Sequence, residues 1–154
     1  MAISKPELHV RKSVEMLYYS LKHGDTETVA KLLAIDLEWW FHGPPNSQHM
    51  MRMLTGESLD LEFKFEPRNI TVIDDRVIVE GWEGNEAYWV HVWTINVQDG
   101  LITQFREYFN TWITVRDVRM RDSLWEIKQI RPTVWQSEPQ EHLKRSLPGL
   151  VLAI

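Results

Sequence analysis

The sequence contains no cysteine in its 154 residues, and this absence excludes several kinds of chemistry at once. Disulfide bonds, thiolate metal ligands, iron–sulfur clusters and cysteine nucleophiles all need that side chain. The chain also lacks repeats, low-complexity tracts and any segment that resembles a linker. We therefore expect a single domain over residues 1–154, large enough to bury a core and a pocket within it.

Long apolar runs and an excess of basic residues are also missing. No apolar run is long enough to span a bilayer, and the N-terminus does not resemble a targeting segment. The 17 Lys and Arg residues against 22 Asp and Glu give a formal charge of −5, whereas a general binder of nucleic acid or anionic membranes needs a basic surface. We expect a cytoplasmic protein with no nucleic-acid or membrane partner.

Motifs for phosphate binding, metal binding and nucleophilic catalysis are absent as well. The sequence has no Gly-rich phosphate loop and no Ser-His-Asp arrangement. His42 and His49 are seven residues apart with no carboxylate between them, which is not a metal-ligand pattern. The sequence predicts neither a metal nor a cofactor.

Tryptophan, by contrast, is abundant. The hydrophobic fraction of 44% and charged fraction of 25% are ordinary for a globular protein, yet eight residues are Trp, at positions 39, 40, 82, 89, 93, 112, 125 and 135. A buried indole contributes a large apolar surface, and its N–H needs a hydrogen-bond partner. The direction in which these rings point therefore becomes the main question.

The hydrophobic period changes along the chain. A helical stripe runs to about His23, a second helix follows Asp25, and a third is expected over about residues 47–54, after a short strand at Leu37–Phe41. Beyond Gly56 the alternation is that of strands, and a tail from about residue 116 is expected to be irregular. This order predicts an α+β fold, in which about three N-terminal helices pack on a strongly curved antiparallel sheet and leave a cavity between the layers.

A hairpin around Gln98-Asp99-Gly100 fixes which residues share a face. With a three-residue loop and Gly100 in the left-handed conformation, Trp93 lies opposite Phe105, His91 opposite Glu107, and Trp89 opposite Phe109. A two-residue loop would flip every face. The odd-numbered aromatic face is expected to point inward, and the more polar even-numbered face is left for solvent or a subunit partner.

One His opposite one Glu among aromatic rings has two interpretations. A general acid/base site places such a pair in a dry pocket, with Glu107 as base or acid and His91 as its orienting partner or second proton carrier. Aromatic stripes on strands are also ordinary core, in which polar pairs satisfy each other. Both interpretations stay open. Trp39 and Trp82 are candidate cavity walls, His42 lies in a candidate functional loop, and Glu80 is expected to be solvated.

Several longer motifs carry a resemblance to known proteins. GDTETVAKLL, YWVHVW and ITQFREYFNTW resemble the nuclear transport factor 2-like superfamily, which includes ketosteroid isomerases, limonene epoxide hydrolases and SnoaL-like polyketide cyclases. WFHGPP, HMMRMLTG, EGWEG and SLPGLVLAI look like the plant wound-induced and senescence-associated family within it. The resemblance extends over nearly the whole chain and implies a cone of three helices wrapped by a curved sheet around a pocket.

The resemblance also implies roles for individual residues. In the isomerases and epoxide hydrolases, the positions matching Phe105, Glu107 and Phe109 face the pocket, and Glu107 matches an epoxide hydrolase acid. The isomerase base falls on Phe41, so that reaction is not expected here. The isomerase tyrosine falls on Leu17, with Tyr18 adjacent to it.

The expected function is binding of a small apolar or aromatic molecule, with or without turnover. A cofactor-free cyclisation, isomerisation, dehydration or ring opening would use Glu107 and His91. The other expected pocket residues are Tyr18, Trp39, Phe41, His42, Trp82, Trp89, Trp93, Phe105 and Phe109. The alternatives are a non-catalytic stress-response ligand binder and a dimeric interaction module. A homodimer through the polar sheet face and the tail is expected in every case.

Overall fold

Three helices and two sheets form the described part of this computed structural model, which covers residues 5–43, 49–55, 65–83, 87–116, 133–137 and 149–154. Helix α1 spans Lys5–Lys22, α2 spans Thr26–Leu32 and α3 spans His49–Leu54. Gly24 adopts a φ of +69° where α1 ends, and the Asp25 carboxylate caps α2 by accepting from the Thr28 N–H at 3.1 Å. None of the helices in these ranges has the length and apolar character needed to cross a membrane.

Five strands form the main sheet. They are β1 (Leu33–His42), β2 (Asn69–Ile73), β3 (Arg76–Glu83), β4 (Ala87–Ile95) and β5 (Ile102–Phe109), in the spatial order β1-β5-β4-β3-β2. The expected α+β architecture is confirmed. The sheet is mixed, because β1 pairs with β5 in parallel while the other pairs are antiparallel. Strand β1 starts directly after α2, so it is longer than the expected Leu37–Phe41.

The β4–β5 pair has the predicted register over most of its length. Trp89 lies opposite Phe109, His91 opposite Glu107 and Trp93 opposite Phe105. Near the turn the predicted three-residue loop is wrong: Ile95 pairs with Ile102, and the hydrogen bond from the Asn96 N–H to the Leu101 carbonyl closes a longer loop. Thr103 is the extra residue and forms a β-bulge, so the β5 residues that follow it point to the predicted faces of the sheet.

The helices cover one face of this sheet, which we call the inner face. It carries Trp89, His91, Trp93, Phe105, Glu107 and Phe109, and the β1 residues Trp39 and Phe41 extend it. The α1 residues Val10, Val14 and Leu17 are fully buried against it. The stripe seen in the sequence therefore packs α1 onto the aromatic rings.

The opposite face, which we call the outer face, is covered by a second sheet. Strands β6 (Ile113–Arg116), β7 (Thr133–Gln136) and β8 (Leu150–Ala153) are ordered β7-β6-β8. Ile113, Val115 and Leu152 from this sheet join one buried cluster with Tyr88, Val90 and Val92. Much of the outer face is thus buried within one chain, where solvent or a partner subunit was expected.

Two further expectations about the C-terminal part are corrected. The strand alternation expected to continue up to the tail is interrupted at Asn110, which adopts a φ of +51° and separates β5 from β6. Part of the tail expected to be irregular forms β7 and β8. The rest of that tail, residues 117–132 and 138–148, lies outside the described ranges.

Candidate functional site

Four buried side chains on the inner face form one hydrogen-bonded chain. Trp93 Nε1 lies 3.0 Å from the Tyr18 hydroxyl, that hydroxyl lies 2.5 Å from His91 Nδ1, and His91 Nε2 lies 2.8 Å from Glu107 Oε2. Trp93, His91 and Glu107 are completely buried, and Tyr18 is 4% exposed. Helix α1 therefore contributes Tyr18 to a polar group otherwise built by β4 and β5. We call these four residues the relay.

The donors and acceptors of the relay fit one arrangement of hydrogens. With an ionised Glu107, which only accepts, His91 Nε2–H donates to the carboxylate. His91 Nδ1 is then the acceptor for the Tyr18 O–H, and the Tyr18 oxygen accepts from the Trp93 N–H. Each contact has one donor and one acceptor, with a neutral imidazole in the middle.

Burial shifts the pKa values of the two central groups in a way that keeps both neutral. Burial lowers the pKa of His91 below its ordinary value, although the hydrogen bond to Glu107 and the negative charge of Glu107 oppose the shift. Burial also raises the pKa of Tyr18 well above its ordinary value, with a contribution from Glu107 and against the effect of the Trp93 N–H. A neutral imidazole and a neutral phenol therefore connect Trp93 to the carboxylate.

Aromatic rings surround the imidazole. The His91 ring centroid lies 4.5 Å from Trp89, 4.9 Å from Phe65 and 5.0 Å from Phe105. The neighbouring Trp93 and Phe105 rings stack at 4.0 Å. Since these rings exclude water, the electrostatic interactions inside the relay act in a low-dielectric environment.

Glycine makes room for one wall of this aromatic group. Gly81 lies directly opposite Trp89 across the β3–β4 pair, and a Cβ at that position would stand 2.5 Å from Trp89 Cζ2. The indole therefore packs directly against the glycine, where any larger residue would displace it. The EGWEG stretch thus has a packing reason for its first glycine.

Three buried polar atoms on the inner face have no hydrogen-bond partner among the described residues: Glu107 Oε1, Trp39 Nε1 and Trp89 Nε1. Buried polar groups are nearly always hydrogen-bonded, so such exceptions require an explanation. Glu107 and Phe41 are neighbours in register on β5 and β1. Phe41 and Trp39 are only partly buried, which makes β1 the less enclosed side of Glu107.

The structure brings most of the predicted site residues together. Trp89, His91, Trp93, Phe105, Glu107 and Tyr18 form the relay and its aromatic surroundings, and Trp39, Phe41 and Phe109 lie on the same face. Their binding and catalytic roles stay predictions. Sequence reasoning named Tyr18 as a pocket residue but missed its bond to His91, because that contact joins residues 73 positions apart.

Two predicted pocket residues lie on the other face. Trp82 is one residue beyond Gly81, so strand alternation turns it to the outer face, where the Arg68 guanidinium lies 3.8 Å above its ring. His42 pairs with Tyr108 in register and faces outward for the same reason. Neither side chain therefore forms a wall around His91.

Sequence reasoning also missed a second buried acid. Glu80 is 3% exposed, and its Oε2 accepts a 2.5 Å hydrogen bond from the Tyr88 hydroxyl. It was expected to be solvated, whereas the second sheet covers this face and buries Glu80 together with Tyr88. Glu80 belongs to the outer face, so it does not contact the relay.

A cleft of about 290 Å³ opens on the outer face beside β1 and β5. Its lining includes Trp40, His42, Arg106, Tyr108 and Leu150, and it also reaches Phe41 and Glu107. Among the described residues, no cluster of three or more His, Asp or Glu side chains is placed to hold a metal ion.

The comparison with protein families agrees with the fold and with the β4–β5 motifs. The family model for wound-induced protein WI12 matches residues 51–154, which is more than half of the chain. The chain belongs to the WI12 family. His91, Trp93 and Glu107 lie within the matched segment, whereas Tyr18 and β1 precede it.

Two plant proteins are similar to this WI12 family member over the whole of their own length. Wound-induced protein 1 of Solanum tuberosum is 39% identical over 107 residues, which cover 68% of this chain and 100% of the relative. Senescence associated gene 20 of Arabidopsis thaliana is 36% identical over 112 residues, with the same two coverages of 68% and 100%.

Solved structures share the nuclear transport factor 2-like fold. An LEH-like epoxide hydrolase of M. tuberculosis has a TM-score of 0.53 at 22% identity, over 67% of this chain and 84% of its own. An NTF-2 like protein of Burkholderia xenovorans has a TM-score of 0.51 at 19% identity, over 69% and 86%. At such identities the likeness concerns the fold alone.

Proposed function

We propose that this WI12 family member binds a small apolar or aromatic molecule at the inner face and performs cofactor-free acid/base chemistry on it with Glu107. The observation that carries the proposal is the burial and incomplete hydrogen bonding of the Glu107 carboxylate. Glu107 is fully buried, one of its oxygens is held by His91, and the other has no partner among the described residues. Buried acids whose hydrogen bonding is incomplete are frequent at functional sites.

In this proposal Glu107 Oε1 is the atom that exchanges a proton with the bound molecule. His91 Nε2–H fixes the other oxygen at 2.8 Å, so the carboxylate cannot rotate away from the ligand. The aromatic surroundings exclude water, so a proton passes between the carboxylate and the ligand without competition from solvent. A carboxylate that takes a proton at one carbon or oxygen and returns it elsewhere suffices for isomerisation, dehydration or ring closure.

His91 and Tyr18 act as positioning residues. A neutral imidazole donates to Glu107 Oε2 and holds the carboxyl group in one orientation. The Tyr18 hydroxyl at Nδ1 fixes the tautomer in which Nε2 carries the hydrogen. Trp93 anchors Tyr18 in turn, so helix α1 and the sheet together set the orientation of the acid.

The indole N–H groups of Trp39 and Trp89 suggest how the ligand is oriented. Both are buried without a partner among the described residues, and both are hydrogen-bond donors. A ligand that carries a carbonyl, ether or epoxide oxygen would satisfy one of them while its hydrocarbon part packs on the rings. The fold neighbour described as an LEH-like epoxide hydrolase acts, by that description, on a molecule with such an epoxide oxygen.

The test uses two simple probes and a matched control. Hydrogen–deuterium exchange at the enolisable carbons of 2-tetralone, followed by NMR in D2O, reports proton abstraction, and conversion of styrene oxide to its isomer phenylacetaldehyde reports acid-catalysed opening of the epoxide without a second reactant. We expect the wild-type protein to accelerate at least one of these reactions. Glu107→Gln should lower that rate by roughly 10²–10⁴-fold, the usual contribution of a general acid or base. Glu80→Gln, a change in the buried acid of the outer face, should leave it unchanged.

Circular dichroism and the melting temperature establish that each variant is folded. If Glu107→Gln does not fold, Glu107→Asp keeps the charge but withdraws the carboxylate, and a loss of rate in that folded variant has the same meaning. The proposal fails if the wild-type protein accelerates neither reaction, or if Glu80→Gln loses as much rate as Glu107→Gln.

A non-catalytic ligand-binding protein of the stress response is the second candidate. It is favoured by the close packing of rings around His91, at 4.5–5.0 Å from Trp89, Phe65 and Phe105, which suits a rigid core. In that case 2-tetralone raises the melting temperature of the wild-type protein, and neither probe is turned over. The carboxylate then accepts a hydrogen bond from the ligand without proton transfer.

Self-association is the remaining part of the proposal. Trp112, Val134 and Val151 in or beside the three-stranded sheet are 39%, 38% and 64% exposed, and together they offer an apolar surface to a second copy. Light scattering coupled to gel filtration should give the mass of a dimer. Val151→Glu should shift it to that of a monomer, and a monomeric wild-type protein would contradict this part.

A further inference from the structure

The cleft on the outer face is built by two strands in register and one strand of the second sheet. Trp40 and His42 on β1 lie beside Arg106 and Tyr108 on β5, and Leu150 of β8 closes one side. Its volume of about 290 Å³ is near the lower end of ligand pockets, roughly 300–1,000 Å³. Such a space suits a compound with one or two rings.

Arg106 gives the cleft a positive charge. Among the described residues it forms no ion pair, although its charge contributes, after the hydrogen bonds from Gln104 and Trp40, to lowering the pKa of the Glu38 carboxyl. Arg106 Nε donates to Gln104 Oε1 at 3.0 Å, and its guanidinium also bonds the Tyr108 hydroxyl. A guanidinium has five N–H donors, so others remain for a ligand. The nearby Glu38 carboxylate is held by Gln104 at 2.9 Å and Trp40 at 3.4 Å.

His42 and Trp40 add an unpartnered polar atom and an exposed aromatic surface. His42 Nε2 is buried and has no partner among the described residues. Trp40 is 59% exposed, which is unusual because a tryptophan side chain normally stabilises a fold by burying its large apolar surface. A ligand that covers the indole and reaches His42 would bury the exposed ring and give His42 Nε2 a hydrogen-bond partner.

We propose that this cleft binds a small aromatic carboxylate, with its carboxyl group on Arg106 and its ring packed between Trp40 and Leu150. A guanidinium is the side chain best suited to a planar carboxylate, because it offers parallel N–H donors. Glu107 is the one acid in the lining; His91 holds its Oε2 on the inner face, and its Oε1 has no partner among the described residues, so the ligand's carboxyl group is placed on Arg106 and away from Glu107. The site goes beyond the proposed acid/base function, since Trp40, His42 and Arg106 take no part in the relay.

The test compares 2-naphthoate with 2-naphthamide, which has the same rings and no charge, by isothermal titration calorimetry. We expect the wild-type protein to bind 2-naphthoate at least about tenfold more tightly than 2-naphthamide, because a guanidinium forms stronger hydrogen bonds with a charged carboxylate than with a neutral amide. Arg106→Gln should remove most of that preference, and Trp40→Ala should weaken both compounds together.

Two control variants show whether the ligand occupies this cleft or another part of the molecule. Arg76→Gln changes another arginine of the outer face, which is paired with Asp75, and should leave the preference unchanged. Glu80→Gln changes a buried acid of the outer face that does not line the cleft, and it should also leave the preference unchanged. A preference for 2-naphthoate that survives in Arg106→Gln, or that is lost in a folded Glu80→Gln variant, would place the ligand elsewhere and overturn the inference.

Two further results would overturn it. One is equal binding of the two compounds to the wild-type protein. The other is a wild-type dimer that dissociates in Trp40→Ala and binds neither compound, because the cleft would then be a contact between two copies. Because Trp40 is exposed and Arg106 is partly so, both variants are expected to fold.

Discussion

The two faces of the five-stranded sheet bury polar groups in different ways. On the inner face, Trp93, Tyr18, His91 and Glu107 form one continuous chain of hydrogen bonds. On the outer face, Glu80 and Tyr88 form a separate pair beside an apolar cluster, and other polar groups line an open cleft. Both faces are mostly buried, so burial alone does not distinguish them.

The difference lies in the kind of polar atom that each face leaves without a partner among the described residues: the outer face leaves His42 Nε2, Trp82 Nε1 and Thr94 Oγ1, whereas the inner face leaves two indole nitrogens and the carboxylate oxygen Glu107 Oε1. A buried pair such as Tyr88–Glu80 adds rigidity to a core. A chain that ends on an unpartnered carboxylate oxygen keeps an atom available for something else. The inner face is therefore the better candidate for chemistry, and the outer face is the better candidate for packing and for binding a charged ligand. The following experiments test that division.

The largest effect is expected from a pair of tryptophans, one on each face. Trp93 is fully buried and donates to Tyr18, so Trp93→Ala should lower the free energy of unfolding by about 3–5 kcal/mol. Trp40→Ala on the outer face should change it by less than about 0.5 kcal/mol, because that ring is mostly exposed. Urea denaturation measures both, and equal losses would contradict the assignment of the inner face as the main core.

A smaller effect distinguishes the relay from the Tyr88–Glu80 pair. Tyr18→Phe leaves buried groups of His91 and Trp93 without their partner and should cost about 1–3 kcal/mol. In the double variant with Glu107→Gln, the change in the free energy of unfolding should differ from the sum of the two single changes by about 0.5 kcal/mol or more, because both residues belong to one network. In the double variant of Tyr18→Phe with Tyr88→Phe, the two changes in the free energy of unfolding should add within about 0.5 kcal/mol. Coupling of the same size in both combinations would show that the faces are not independent.

The pH dependence of stability should be a further, weaker signature of the inner face. The pKa of His91 is lowered by burial, so between its folded value and about 6.5 the unfolded chain binds more protons. Stability should therefore be complete above about pH 6.5 and fall as the pH drops through the folded pKa. His91→Gln should remove this fall, and His9→Gln, a change at an exposed position of α1, should not.

The stability of the protein at high pH provides a second test of the relay. Because the pKa of Tyr18 is raised, the unfolded chain loses its proton first, and stability should be complete below about pH 10 and decline above it. Tyr18→Phe should weaken this decline. Denaturant titrations at a series of pH values measure the loss of stability at low and at high pH, and identical profiles for wild type and variants would contradict the buried, neutral relay.

Strand alternation in the sequence predicted the face that carries the candidate site. Counting outward from the Gly100 turn placed His91 opposite Glu107, and that pairing is confirmed, although the loop is longer than assumed. The bulge at Thr103 compensated for the error. Local sequence does not reveal such a bulge, because its position depends on how β5 fits between β4 and β1.

Two other side chains on β3 lie elsewhere than expected, for different reasons. Trp82 was assigned to the pocket by residue type, although alternation from Gly81 already turns it outward. Glu80 was expected in solvent, but the second sheet covers that part of the outer face. The burial of Glu80 could not be predicted, because the strands that cover it come together only after the chain has folded back.

Sequence alone was sufficient to predict the order of the N-terminal helices and the strands that follow, the aromatic inner face and the His91–Glu107 pair, since these follow from periods of 3.6 and 2 and from one turn. Packing in three dimensions was needed to bring Tyr18 of α1 into the relay and to lay β6, β7 and β8 over the outer face. The physical reason is that local periodicity fixes which way a side chain points. What it meets there depends on segments tens of residues away, brought close by packing.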